Sequence, residues 1–233
     1  MSDLKVVLLQ HTPKPERTCA LAARLCYSPV GIEQLQEKMS DQDCRLLLEK
    51  IMSIGHFSVL EHASFTFGIE GISRALSHQL VRHRLASYSQ QSQRYVKFSG
   101  GIPAVIPESI RANEDAMDLF EWVMETCEQA YNELIEHGIP AEDARFVVPN
   151  AAETKIIMTM NARELLHFFG HRCCNRAQWE IRKMADDMLR LCYQVAPIIF
   201  EKGGPSCVSE GVCHEGKMCC GTVRTKEELL YGT

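Results

Sequence analysis

Residues 64–85 read Ser-Phe-Thr-Phe-Gly-Ile-Glu-Gly-Ile-Ser-Arg-Ala-Leu-Ser-His-Gln-Leu-Val-Arg-His-Arg-Leu, and the apolar period changes partway along. Over 64–69, Phe65, Phe67 and Ile69 alternate with Ser64, Thr66 and Gly68, the two-residue period of a strand. From 72 to 85 the apolar residues recur at helical spacing, which predicts a helix carrying Arg74, His78 and Arg82 on one stripe. A strand running straight into a helix, without the regular alternation of a parallel-sheet protein, predicts an α+β fold. The expected architecture is a single main domain with a small sheet and several helices, one or two of them long.

The flanks extend this reading. Residues 4–9 form a short apolar run expected to be a buried first strand, and 95–98 and 154–160 are further strand candidates. Helical spacing marks 16–27 and 41–54, with Ser40 placed as N-cap of the second. A long amphipathic helix is expected over 108–137, with Leu119, Phe120, Val123, Cys127, Tyr131 and Leu134 as its apolar stripe and Gly138 as its stop. A short helix over 141–147 and two more over 162–171 and 177–200 complete the pattern. The expected division is a catalytic domain over 1–202 and a cysteine- and glycine-rich tail over 203–233.

Composition bounds the function. The 233 residues are 45% hydrophobic and 24% charged, an ordinary soluble composition, with a net charge of −5 that argues against a nucleic-acid coat. No apolar run approaches the roughly 20 residues that cross a bilayer, and no secretory signal opens the chain, so a cytoplasmic protein is expected. Eleven cysteines, an odd number, are read as reduced thiols. No Gly-x-Gly-x-x-Gly, Gly-Lys-Ser/Thr or Gly-x-Ser-x-Gly motif is present, which excludes the common nucleotide-binding and hydrolase signatures.

Against that acidic background, residues 82–95 (Arg-His-Arg-Leu-Ala-Ser-Tyr-Ser-Gln-Gln-Ser-Gln-Arg-Tyr) hold three arginines, a histidine, three serines and three glutamines. Guanidinium groups offer a planar fork suited to phosphate oxygens, and clustered cations repel unless an anion offsets them. The segment reads as a site for a phosphorylated small molecule. Two further places carry candidate chemistry: Gly55-His56 through Glu61-His62, and Arg145 with Asn161-Ala162-Arg163 through His171-Arg172. Each has a structural reading as well, Asn161 as a helix N-cap and Arg163 and Arg172 as solvated residues on different sides of a helix.

Arg82-His83-Arg84, seven residues, Ser92, one residue and Arg94 resembles the signature of the flavin-dependent thymidylate synthases. The similarity continues in order through Gly55-His56, Glu61-His62, Gln79, Ala144-Arg145, Asn161-Ala162-Arg163 and Arg172 to Ala177-Gln178-Trp179-Glu180. The resemblance implies an enzyme that methylates deoxyuridylate (dUMP) to thymidylate (dTMP), with methylenetetrahydrofolate as carbon donor and NADPH reducing a bound FAD. It implies a homotetramer with active sites shared between subunits. It implies that Gln79, Gln90, Ser92, Arg94, Arg145 and Arg172 hold deoxyuridylate, Arg94 and Arg145 at the phosphate and Arg172 at the uracil as the catalytic cation. FAD is expected on His56, Ser58, Glu61, Arg82, His83, Arg84, Leu85, Asn161, Arg163 and His167, and no residue is assigned to a metal. No cysteine falls within 82–94, so hydride from the flavin is expected in place of a thiolate nucleophile, with Cys173 and Cys174 read as bystanders.

Three positions depart from the family pattern: Gln90 for glutamate, His167 for an asparagine-like residue, and Arg176 for histidine. The alternatives are an Arg/His phosphoryl-transfer enzyme using His83 as acid–base, or a non-catalytic nucleotide-binding module. In the tail, Cys207, Cys213 with His214, Cys219 and Cys220 are spaced five residues apart where zinc sites more often use two to four. That spacing favours flexible thiols or an oligomer contact over a structural metal.

Overall fold

The computed structural model describes residues 3–98 and 100–232; Met1, Ser2, Ser99 and Thr233, among them the outer ends of both expected regions, lie outside the described residues. Strand β1 (Lys5–His11) precedes helices α1 (Pro15–Leu25), α2 (Ile32–Lys38) and α3 (Asp41–Ser53) and a 3-10 turn at Phe57–His62. Strand β2 (Ser64–Ser73) leads to α4 (Arg74–Leu80), β3 (Ala86–Gln90), α5 (Glu108–Arg111), α6 (Glu114–Glu136) and α7 (Ala141–Ala144). After a 3-10 turn at Arg145–Val147 come β4 (Glu153–Asn161), α8 (Ala162–Arg172), α9 (Trp179–Val195), α10 (Pro197–Phe200), α11 (Ser206–Ser209) and α12 (Lys226–Leu230). The strands form one antiparallel sheet in the order β1-β2-β4-β3. The α+β expectation holds, and no described helix is long and apolar enough to cross a membrane.

The chain divides into two compact units. The first holds residues 3–5, Ile69–Arg82 and Tyr88–Ile157; the second holds Val6–Gly68, His83–Ser87 and residues 158–232. In the first, Ile102, Tyr131, Ala144 and Ala152 are buried, with Phe98, Met124, Leu134, Ile135, Val147 and Val148 packed around them. In the second, α9 buries Ile181, Met184, Ala185, Met188, Leu189 and Cys192, the repeat of an amphipathic helix facing inward. Edge-to-face rings join Phe65 to Phe200 at 5.3 Å and Phe169 to Phe200 at 6.0 Å.

Four expected boundaries are corrected. The helix expected over 72–85 is only α4, because Ser73 stays in β2 and caps the helix, its hydroxyl accepting from the Leu76 N–H at 3.0 Å. At the other end the Arg82 N–H turns onto the Gln79 carbonyl and His83 is buried, so Arg82 leaves the stripe of Arg74 and His78. The long helix over 108–137 is two, because the Asn113 side chain accepts from the Ala116 N–H and starts α6 afresh. Residues 95–98 make no strand: the Ser92 carbonyl takes the Val96 N–H and its hydroxyl the Arg94 N–H, winding a turn. The helix expected over 177–200 breaks at Ala196 because Pro197 lacks the N–H to continue it.

Of the α6 stripe Tyr131 is buried and Leu134 packs beside it, whereas Leu119 is 61% exposed and Val123 39%, so the first half of the stripe is the open part. Ser40 is the predicted cap of α3 and forms a full capping box with Asp43. The tail is anchored: Arg224 donates to both carboxylate oxygens of Asp186, at 2.9 and 2.8 Å, and to the Cys173 carbonyl. Leu229 and Leu230 of α12 are buried.

Candidate active site

In the second unit the geometry centres on His83 and α8. The Asn161 side chain caps α8 by accepting the Glu164 N–H at 2.9 Å, which fixes where the helix starts. From that start the three-to-four residue repeat brings Glu164, His167, His171 and Arg172 along one side. His83, 8% exposed, packs edge-on against Phe168 at 4.9 Å and lies 6.0 Å from the His167 ring. The Arg172 Nε–H donates to His83 Nε2 at 3.1 Å, and His83 Nδ1 lies 3.5 Å from Glu164 Oε1.

This arrangement fixes the protonation of His83. Burial, followed by the charges of Arg172, His167 and His171, brings its pKa down to about 4. A neutral ring accepting at Nε2 carries its proton on Nδ1, facing Glu164. Burial also raises the Glu164 pKa, so the pair is a neutral imidazole beside a carboxyl group that itself resists ionisation. Arg172 is half-buried and its pKa is lowered by that burial; among the described residues it has no carboxylate partner. The donor atoms of His83, Glu164 and His167 lie within 4.8 Å of one another, but the Arg172 guanidinium beside them opposes a cation.

The remaining residues expected around the flavin lie at the surface of this unit. Arg163 ion-pairs with Glu61, and His56, Ser58, Arg84 and His167 are exposed. Leu85 is 69% exposed, an apolar side chain presented next to Arg84. Arg82 ends a segment of the first unit and is exposed as well. Among the described residues neither Arg82 nor Arg84 has an ion-pair partner.

The first unit holds five of the six residues expected at the nucleotide, Gln79, Gln90, Ser92, Arg94 and Arg145, while Arg172 belongs to the second. Arg94 ion-pairs with Glu142, and the Arg145 Nε–H donates to the Glu142 carbonyl at 3.0 Å, so one residue draws both guanidinium groups toward it. Gln90 donates to the Thr154 hydroxyl at 3.2 Å, and Gln79 is half-buried on α4. Arg74, at the start of α4, is half-buried, with a pKa lowered by burial and then by the Arg145 charge. Two repelling guanidinium groups, neither with a carboxylate partner among the described residues, make Arg74 a candidate that spacing alone passed over. The available signal was the absence of Asp and Glu from 74–95, which leaves Arg74 no local counterion.

The family model described as "Thymidylate synthase complementing protein" matches residues 7–198. This chain belongs to the flavin-dependent thymidylate synthase family. A flavin-dependent thymidylate synthase of Geobacter sulfurreducens is 66% identical over 228 residues, covering 97% of this chain and 98% of the relative. Those of Clostridium tetani and Pyrococcus horikoshii are 50% and 46% identical, covering 97% and 92% of this chain and 96% and 91% of theirs. As a member of that family the chain is an enzyme, a thymidylate synthase that works with a flavin.

Proposed function

We propose that this chain converts deoxyuridylate to thymidylate by reductive methylation, with FAD as cofactor, methylenetetrahydrofolate as carbon donor, NADPH as reductant and no cysteine nucleophile. The observation that carries the reading is Arg172: half-buried, held through Nε by a neutral histidine, with no carboxylate to quench it among the described residues. Such a cation has its terminal nitrogens left for a ligand and stabilises negative charge developing on a ring carbonyl. His83 positions it, and Glu164 faces the opposite edge of the imidazole.

The phosphate of the nucleotide falls to Arg94, Arg145 and Arg74, and an anion there relieves the repulsion between Arg74 and Arg145. Gln79, Gln90 and Ser92 supply neutral contacts. The flavin site fits a dinucleotide carrying a pyrophosphate: Arg82 and Arg84 are exposed cations without carboxylate partners among the described residues, and Leu85 beside them offers an apolar surface. His56, Ser58, Glu61, His83, Asn161, Arg163 and His167 complete the proposed cofactor contacts, with Glu61 orienting Arg163. When bound, the flavin supplies the two-electron reduction. Cys173 beside Arg172 is a poor nucleophile, fully buried with its pKa raised well above the usual thiol range.

The phosphoryl-transfer alternative is disfavoured by His83, which is buried, covered at Nε2 by Arg172 and weakly basic with a pKa of about 4. A homotetramer with shared sites is supported by apolar side chains left open on one chain, Leu119 and Trp122 at 61% and 62% and Phe146 at 84%. Eleven free thiols support a reducing, cytoplasmic setting. The test is anaerobic turnover of purified yellow protein with deoxyuridylate, the folate and NADPH, read as labelled thymidylate. Absence of product with all components present, or protein that binds no flavin, overturns the proposal.

A further inference from the structure

Residues 206–224 have no core of their own. Val212, Met218 and Val223 are more than half exposed, and the only regular structure is α11 and a 3-10 turn at Gly216–Met218. What holds the segment is polar. Arg176 donates to the Met218 carbonyl at 2.8 Å and Asn175 to the Thr222 carbonyl at 3.2 Å, both from the loop that follows α8. A segment this short and this poor in buried apolar surface ordinarily needs a cross-link to stay folded.

Five cysteines from four places along the chain line one small pocket: Cys174, Cys207, Cys213, and the adjacent Cys219 and Cys220. Its free volume is about 30 Å³, room for one ion or one water and not for an organic ligand. Two of the sulfurs are held by backbone N–H groups two residues further on: Gly221 donates to Cys219 Sγ at 3.4 Å, and Glu215 donates to Cys213. The Cys213 and Cys219 thiols are also hydrogen-bonded to each other, whereas the Cys220 thiol is turned onto the Thr222 carbonyl at 3.1 Å. Arg176 lines the same pocket and offsets part of the negative charge of a thiolate cluster; Arg224, also in the lining, is paired with Asp186, and Glu215 adds a carboxylate.

We propose that Cys174, Cys207, Cys213 and Cys219 bind one structural zinc ion as a four-thiolate site that fastens the tail to the end of α8. Four thiols give up four protons to solvent and no electrons move. The five-residue spacing is long for a zinc knuckle because the ligands come from separate turns and one of them from α8's end. No three of these sulfurs lie within 4.8 Å of one another among the described residues, whereas zinc–sulfur bonds of about 2.3 Å need them closer, so the loop tightens as metal enters. Five sulfurs around one cavity suit a single central ion; a disulfide uses two. The site lies two residues past Arg172, so occupancy also fixes the backbone that carries that side chain.

The test uses the full-length protein purified under reducing conditions, with its metal content measured by mass spectrometry. About one zinc per chain is expected, with cobalt-loaded protein showing thiolate charge-transfer bands against the zinc-loaded form, which subtracts any flavin. Cys207→Ser and Cys213→Ser should lose the metal while Cys220→Ser keeps it, with circular dichroism confirming that each variant is folded. Less than about a tenth of an equivalent in wild-type protein after incubation with zinc overturns the proposal. So does intact mass showing these thiols joined in pairs, or a Cys220→Ser variant as empty as Cys207→Ser. None of these readouts depends on thymidylate formation, so the metal site and the proposed activity fail separately.

Discussion

His83 turns the packing around α8 into a measurable pH dependence. Its pKa falls from 6.5 for an ordinary histidine to about 4 in the folded chain. Because the folded value lies below the unfolded one, the associated stability is complete above pH 6.5 and is lost as pH falls toward 4. At pH 4.5 the unfolded chain binds nearly a full proton at this position and the folded chain only a fraction. Linkage between the two values gives a loss of about 2.5 kcal/mol between pH 7.5 and 4.5. The assay is urea unfolding followed by tryptophan fluorescence at both pH values, comparing wild type with His83→Gln, which retains an acceptor for Arg172 but cannot titrate. Other acid-titrating groups, including Glu164 with its raised pKa, are present in both proteins and largely cancel. Wild type should lose about 2.5 kcal/mol more than the variant. Parallel losses in the two proteins would refute the buried, neutral imidazole.

Three further outcomes test the other sites. Arg172→Ala should lower kcat by about a hundredfold or more, the scale of losing one preorganised donor at a developing negative charge, and unchanged turnover in steady-state assays would remove it from the reaction. Arg74→Ala should weaken deoxyuridylate binding about tenfold by calorimetry, near 1.4 kcal/mol, while leaving bound flavin unchanged; loss of flavin with intact nucleotide binding would reverse the assignment. Arg224→Ala strands the buried Asp186 carboxylate and should cost about 3 kcal/mol in denaturant unfolding, whereas a change below about 1 kcal/mol would mean that water replaces the guanidinium.

What could be read from the chain was set by how local its cause is. Ser40 and Asn161 announce helix starts through their own side chains, and both cap as residue type predicts. Asn113 carried the same signal, but the surrounding apolar period masked it and two helices were read as one. The end of α4 was illegible for the opposite reason: nothing near residue 80 stops a helix, and the chain turns where His83 meets Arg172, a residue 89 positions away. The basic segment was legible as an unusual stretch because its composition is improbable for packing. The half-buried state of Arg74 was not, since Arg145, the charge beside it, arrives from a distant loop. The thiols show the same limit, because spacing counts residues along the chain while Cys174 and Cys207 meet across a fold.

Helix α8 carries Arg163 near its start and Arg172 at its end. Nine steps of 1.5 Å make a rigid ruler about 13.5 Å long, and two and a half turns point the two guanidinium groups in opposite directions. Both the length and the phase of this rod are therefore constrained. Deleting one residue anywhere within it would rotate Arg172 by about 100° off the His83 nitrogen while leaving Arg163 on Glu61. A side-chain substitution along the rod leaves this register intact, whereas a change in its residue count does not.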